Sequence, residues 1–225
     1  MKATLRRTLL TAAIALAAAP VFAQPGDSPF TQTIFFGDSL TDGGFFRSLL
    51  PANVQNVTGQ FTTNPGFVWS QYLADYYDSN ANVAWKATGA TPLLADGNNW
   101  AVGGARTGTD SVGALGYTPS LASQYARYLS SGKTVDPNAL YTVWGGANDL
   151  FAVQANPSQA SAIIGGAVTA QIGLVGALTQ AGAQYILVPT IPDLGLTPSS
   201  RAGGALAMAQ GTALTNKYAE GYPGK

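Results

Sequence analysis

Apolar runs alternate with polar, turn-forming stretches along most of the chain. Short apolar runs typical of β-strands lie at 33–36, 99–102, 140–144 and 184–189. Helical spacing of apolar positions, or a long run without breaks, predicts helices at 67–77, 118–129, 158–181 and 201–218. The glycine-, proline- and asparagine-rich stretches at 43–66 and 78–98 predict loops. Strands that alternate with helices imply the α/β class and a parallel, doubly wound sheet.

Two of the predicted helices allow more than one interpretation. The segment 162–178 carries no charge and approaches the length of a membrane span. No basic residues flank it, and its glycines would allow close packing, so we favour a helix buried against the sheet that stops at Gly182. The aromatic residues of 67–77 are interpreted as core residues and not as a surface that stacks on substrate.

The first 23 residues have the pattern of a signal peptide, which makes 24–225 the predicted mature domain. A basic start with Lys2, Arg6 and Arg7 precedes a short apolar run, and small residues lead up to Ala23. The alternative, an uncleaved membrane anchor, is disfavoured because the run is short. We therefore expect a periplasmic, cell-surface or secreted protein.

Charge and composition exclude several classes of function. The full chain has 11 basic and 11 acidic residues, and three of the basic ones lie in the predicted signal peptide. The mature chain is therefore mildly acidic, which gives no electrostatic footprint for nucleic acid. There is no cysteine and no histidine, and the aspartates lack calcium-loop spacing, so we expect neither disulfides, metal nor cofactor.

Two glycine-flanked turns follow predicted strands and carry candidate chemistry. Ser39 lies in the turn 37–44 after the first strand, and Asn148 lies in the turn 146–149 after the strand at 140–144. The carboxyl ends of parallel strands meet at one edge of a sheet, where such folds bind ligands. Taken alone, the Asp38-Ser39 pair could equally cap a following helix.

A third turn supplies the remaining group that acyl transfer needs. Negative charge develops on the carbonyl oxygen, so donors must already point at it. Gly104 can offer a backbone N–H after the strand at 99–102, Asn148 its side-chain amide, and Ser39 its own N–H. Gly103 is the fallback for Gly104.

Three sequence blocks, the first at 37–44, the second at 99–104 and the third at 146–149, resemble the GDSL or SGNH family of serine esterases and lipases, and the resemblance runs from about residue 33 onward. The resemblance implies a three-layer, flavodoxin-like sheet, Ser39 as nucleophile, and Gly104 and Asn148 as oxyanion donors toward a small-molecule or lipid ester. The stretch 192–195 is similar to a subset that includes exported autotransporter esterases, which implies an outer-membrane barrel in a further C-terminal part.

The family's final block, Asp-x-x-His, has no counterpart here. Because the chain has no histidine, we expect a truncated domain, incomplete at its C-terminal end and inactive as it stands. Asp193 is interpreted as a turn or helix-cap residue and not as the catalytic acid. Two alternatives stay open: an exported binding or surface-passenger protein that keeps the fold, and a phosphate-binding α/β protein, although no phosphate-loop pattern follows the first strand.

Three charged residues near these turns have plainer interpretations. Asp42 and Asp149 are expected to bond local backbone amides and shape their turns. Arg106 could meet an acidic substrate group, but we favour a surface or turn role.

Overall fold

A computed structural model describes residues 28–55, 57–62, 66–88 and 91–222, so the predicted signal peptide lies outside the described residues. The strands are β1 Thr33–Gly37, β2 Trp85–Lys86, β3 Leu93–Leu94, β4 Ser111–Gly113, β5 Gly116–Thr118, β6 Leu140–Trp144 and β7 Tyr185–Leu187. The α-helices are α1 Trp69–Tyr76, α2 Leu121–Ser130, α3 Ala147–Ala155, α4 Ala160–Gln180, α5 Pro198–Ala202 and α6 Gly204–Ala219. Short 3-10 helices lie at Phe45–Leu49, Pro157–Gln159 and Leu194–Leu196.

The main sheet is parallel, with strand order β1-β6-β7. β1 and β6 pair in register from Thr33 opposite Leu140 to Gly37 opposite Trp144, so both strands end at the same edge. The predicted strand at 99–102 is an extended segment on the other side of β1, where the Trp100 N–H donates to the Phe35 carbonyl at 2.8 Å. The first and third predicted blocks thus follow adjacent strands, and the second follows the segment beside them.

Helices cover both faces of this sheet, as a doubly wound fold requires. On one face Phe36 packs edge-on against Tyr128 of α2, with ring centroids 5.8 Å apart, and Leu174 of α4 joins the same core cluster. On the other face Phe35 packs against α1 through Ala74 and Trp69. Because β1 is buried along its whole length, it reads as a continuous apolar run. The α/β class with a parallel sheet is confirmed.

Some predicted elements differ from the observed ones. No helix was expected after the turn at 146–149, yet α3 begins at Ala147. The single helix expected at 201–218 is two helices, broken where Gly204 adopts a φ of +79°. α2 starts at Leu121 because Ser120 caps it, accepting a hydrogen bond from the Ser123 N–H.

α4 packs one face on the core, but its glycines do not lie on that face as expected. The helical stretch Pro157–Gln180, which ends with α4, is long and apolar enough to cross a membrane, but core helices of soluble proteins can be equally long and apolar. Its inward face is buried and consists of Ile164, Ala167, Val168, Gln171, Leu174 and Leu178. The glycines at 165, 166, 173 and 176 face open space, since a Cβ on any of them would meet nothing within 4 Å. The prediction that these glycines allow close packing is wrong.

Candidate active site

The turn at 37–44 leaves Ser39 without hydrogen bonds to any residue that the structure describes. The Asp38 carbonyl accepts the N–H groups of Thr41 and Asp42 at 3.0 Å each, and the Asp38 carboxylate accepts the Leu40 N–H at 3.0 Å. These bonds close the turn around Ser39, and none of them uses the N–H or the hydroxyl of Ser39. The plain alternative, in which Asp38 and Ser39 cap a helix, is wrong, because the next helical segment starts at Phe45.

The Gln124 side chain of α2 holds Gly37, where this turn begins. The sequence did not reveal this role. Its side-chain oxygen accepts the Gly37 N–H at 2.9 Å, and its side-chain nitrogen donates to the Gly37 carbonyl at 2.8 Å. Gln124 is fully buried, and its side chain bonds both backbone groups of Gly37, whose carbonyl also accepts the Val102 N–H at 3.1 Å. A lone polar residue at a core position of a predicted helix was the available signal.

The second block is tied to the first by Asp42. One oxygen of this carboxylate accepts the N–H groups of Gly44 and Phe45 at 2.7 Å each, and the other accepts the Gly103 N–H at 2.8 Å. The expected local role of Asp42 is confirmed, and a bond to a turn 61 residues away is added to it. Because Asp42 already occupies the N–H of Gly103, this fallback donor is not available to a substrate.

Gly104 presents the backbone donor that remains. It has a φ of +80° and is exposed, and its N–H makes no hydrogen bond to a residue within the described ranges. A positive φ is adopted readily by glycine alone, which explains the residue type at this position. The geometry therefore leaves the Gly104 N–H free to act on a ligand.

Asn148 brings all three blocks together from the first turn of α3. Its side-chain nitrogen donates to the Ala105 carbonyl at 2.9 Å and lies 3.5 Å from the Asp38 carboxylate. Gly146 makes this possible, because it caps α3 with a φ of 113° and lies against the ring of Tyr218. The three predicted site residues thus belong to turns that share one edge of the sheet.

The Asp149 carboxylate binds residues 106 and 107 and does not bond the amides of its own turn. The Asp149 carboxylate accepts the Thr107 N–H at 2.9 Å and the Arg106 Nε–H at 3.1 Å. Asp149 was expected to shape its own turn, and this is corrected: its partners lie in the segment that follows the second block. Arg106 was expected to lie at the surface or in a turn; this is corrected, because its side chain is half-buried and pairs with Asp149.

Burial sets the electrostatics of this edge. Desolvation raises the pKa of Asp38 to about 6, against the opposing hydrogen bond from Leu40. It raises the pKa of Asp42 to about 6 as well, although three backbone N–H groups stabilise its charge. The pKa of Asp149 is also raised by burial, with the Thr107 N–H and the Arg106 charge acting the other way. Burial thus disfavours negative charge at this edge of the sheet. A negatively charged group on a ligand would need the free N–H donors to stabilise it.

Two further sequence interpretations have clear outcomes. Asp193 is a helix cap, as predicted, since its carboxylate accepts the Gly195 N–H at 2.8 Å. The aromatic residues Phe67, Tyr72 and Tyr76 are exposed by 58%, 61% and 47%. Their interpretation as core residues is wrong, and only Trp69 among the aromatic residues at 67–76 joins the packing against Phe35. Among the described residues, no group of three or more acidic side chains could hold a metal ion.

Comparison with known proteins finds relatives that match most of this chain. Curated relatives include an uncharacterized protein of the trpE–trpG intergenic region of Pseudomonas putida, 36% identical over 88% of this chain and 34% of the relative. The esterase EstA of Pseudomonas aeruginosa is 35% identical over 86% of this chain and 33% of its own length. Lipase 1 of Photorhabdus luminescens is 29% identical over 86% and 28%. The chain thus spans about a third of the length of these relatives.

A family model described as GDSL-like lipase/acylhydrolase matches residues 34–223, which include all three blocks. The chain therefore belongs to the GDSL-like lipase/acylhydrolase family, and this confirms the predicted family resemblance.

Proposed function

We propose that this chain forms the nucleophile and oxyanion part of an exported carboxylic ester hydrolase. Ser39 is the nucleophile, and the oxyanion donors are its own N–H, the Gly104 N–H and one N–H of the Asn148 amide. The other Asn148 N–H is held by the Ala105 carbonyl at 2.9 Å, and the one proposed as donor meets Asp38 only at 3.5 Å and turns from it to the oxyanion. The observation that carries this proposal is the Asn148 side chain, which lies 2.9 Å from the Ala105 carbonyl and 3.5 Å from Asp38 and so links the three turns.

In the proposed reaction the Ser39 Oγ attacks the ester carbonyl carbon, and the carbonyl electron pair moves onto oxygen. The donors hold this oxyanion until the C–O bond to the alcohol breaks. The acyl group stays on Ser39 as an ester, which water then hydrolyses to the free acid. Losing one oxyanion donor of this kind costs about two to three powers of ten in rate.

The Ser39 proton needs an acceptor that this sequence does not contain, because it has no histidine. We propose that the base and its acid partner belong to a further segment of the longer protein. The chain as given would then turn over poorly, since loss of a triad member costs about four to six powers of ten. Asp42 and Asp149 do not replace the base, because backbone N–H groups occupy their carboxylates.

Covalent labelling tests the nucleophile directly. An activated nitrophenyl phosphonate should label the chain slowly, with the modified peptide containing Ser39. Ser39→Ala should abolish labelling, and Ser161→Ala, on the exposed face of α4, should not change it. Labelling that survives Ser39→Ala would remove Ser39 from the mechanism.

Chemical rescue tests the missing base. Imidazole should accelerate hydrolysis of a nitrophenyl ester in a saturable way with Ser39 present. Ser39→Ala should leave only the linear reaction of imidazole in solution. Equal rates for the two proteins would contradict the proposed chemistry.

A second candidate function is an exported binding or surface-passenger protein, and the absence of histidine favours it. Tight binding of a lipid or glycan with neither labelling nor rescue would support that function.

Export rests on the pattern of residues 1–23, and an outer-membrane barrel on the resemblance of 192–195 to autotransporter esterases. We propose both, with a location in the periplasm, on the cell surface or outside the cell. N-terminal sequencing of the protein from cells should begin near Gln24. A start at Met1 would count against export by cleavage.

A further inference from the structure

An exposed group of aromatic rings lies beside the candidate active site. Phe61, Phe67 and Tyr72 are exposed by 58%, 58% and 61%, and we call them the aromatic surface. The rings of Phe67 and Tyr72 contact each other edge-on at 5.6 Å, and the Thr62 hydroxyl donates to the Phe67 carbonyl at 3.2 Å. The Phe67 and Tyr72 rings thus touch, and the Thr62 bond brings the segment of Phe61 beside them; exposed apolar area of this kind marks a place where an apolar partner binds.

Phe61 connects this surface to the oxyanion donors. A Cβ placed on Gly103 would lie only 2.6 Å from Phe61 Cε2, so the ring rests directly on this glycine. Any other residue at 103 would push the ring away. The next residue in the chain is Gly104, whose N–H is free among the described residues. The Phe61 ring therefore begins one residue from a proposed oxyanion donor.

The segments that carry these rings are anchored to the nucleophile turn. The Gln60 side chain donates to the Gly43 carbonyl at 3.2 Å. At the start of α1, the Trp69 indole donates to the Thr41 hydroxyl at 3.3 Å and the Ser70 hydroxyl donates to the Thr41 carbonyl at 2.8 Å. These bonds fix the aromatic surface relative to Ser39, as a substrate-binding surface requires.

We propose that the aromatic surface binds the unbranched alkyl chain of the ester held at Ser39, with Phe61 nearest the reacting carbonyl. The inference rests on the proposed function, which places the ester between Ser39 and Gly104. The surface is uncharged, and its rings offer apolar area next to the only part of an ester that is itself apolar. Phe61 is therefore a specificity residue that discriminates between chain lengths.

Phosphonate probes of two chain lengths test this. Ser39 Oγ attacks phosphorus and the P–O bond to nitrophenol breaks; nitrophenolate leaves with the electron pair, and the serine proton goes to buffer. One pair of probes varies the alkyl group on phosphorus (ethyl or decyl), and a second pair varies the alkoxy group. These pairs distinguish an acyl-side chain from an alcohol-side chain. We expect about a tenfold faster labelling by the decyl probe of one pair, the effect of burying roughly two methylene groups.

Phe61→Ala should reduce this chain-length preference to threefold or less, because the decyl probe loses more labelling rate than the ethyl probe does. Tyr76→Ala is the matched control, because this ring is exposed by 47% on the same helix as Tyr72 but belongs to its last turn. It should keep the full preference. Phe61→Leu, which retains apolar area, should lie between them and covers the case in which Phe61→Ala does not fold.

Equilibrium binding separates this inference from the proposed function. Decanamide and acetamide are not cleaved, and their binding can be followed by the fluorescence of Trp69. If no probe labels Ser39 but decanamide binds and Phe61→Ala weakens it, the esterase proposal fails and the alkyl site stands. If Ser39 is labelled with a chain-length preference that folded Phe61→Ala leaves unchanged, or with no preference, the alkyl site is refuted.

Discussion

Gly146 is the position where one added methyl group should disturb the site most. It precedes α3 with a φ of 113°, and a Cβ there would collide with the ring of Tyr218. Holding an alanine in a left-handed conformation costs about 1–2 kcal/mol, and forcing an extra methyl into packed core adds about 1–3 kcal/mol. We expect Gly146→Ala to lower the free energy of unfolding by about 3 kcal/mol. For a domain of this size that is a fall in Tm of roughly 6–12 °C.

A double-mutant cycle in urea separates the two causes. Tyr218→Leu makes room for the methyl group, so the steric part should disappear in the double variant while the backbone part remains. The coupling energy should be about 1–3 kcal/mol in the favourable direction. Gly165→Ala is the control, because that glycine faces open space in the middle of α4; it should raise stability by about 0.5–1 kcal/mol.

The cycle also has a functional readout. Since Gly146 sets where α3 begins, Gly146→Ala should move the Asn148 amide and slow Ser39 labelling, whereas Gly165→Ala should not. The reasoning is refuted if Gly146→Ala is neutral, or if its effect and that of Tyr218→Leu simply add.

Three further predictions concern carboxylates. Because burial raises the folded-state pKa of Asp38 and of Asp42 to about 6 from 3.8, the folded state binds protons more tightly there. Stability should fall as pH rises from 4 to 6, by up to about 3 kcal/mol per group, and urea curves that coincide across this range would contradict it. The pKa of Asp110 is shifted in the opposite direction. Burial raises it, but hydrogen bonds from Ser120, Tyr117 and Ser123 outweigh this effect and lower the pKa to about 2. Its contribution should be full above pH 4 and lost as pH falls toward 2, and Asp110→Asn should flatten the acid limb of the same curves. Asp193→Ala should cost about 1 kcal/mol through the lost cap, measured by thermal unfolding, while Asp193→Asn, which keeps an acceptor, should cost less.

The strands and the three turns could be predicted because they depend on local pattern. β6 appears with the predicted bounds, since a buried parallel strand is a continuous apolar run. Ser39 and Asn148 follow such strands, so the shared edge of the sheet brings their turns together. Their catalytic roles, with that of Gly104, stay predictions until labelling is done.

The rest could not be predicted because it depends on contacts between distant residues. The bonds from Gln124 to Gly37 and from Asp42 to Gly103 span 87 and 61 residues, and no local period records them. α3 was missed because its first residues, after two glycines, look like a turn. The aromatic residues of α1 were misplaced because helical spacing gives the face they share and not what covers it.

The outward glycines of α4 have a consequence for the order of folding. Each glycine makes a helix about 1 kcal/mol less favourable than alanine does, so four of them leave this 21-residue helix unstable on its own. Its apolar inward face must dock before the helix can persist. α4 is also the last helix in the connection between β6 and β7, so β7 can reach its place only when that docking occurs. Amide hydrogens of α4 and β7 should therefore exchange together, as one cooperative unit that opens before β1 and β6 separate.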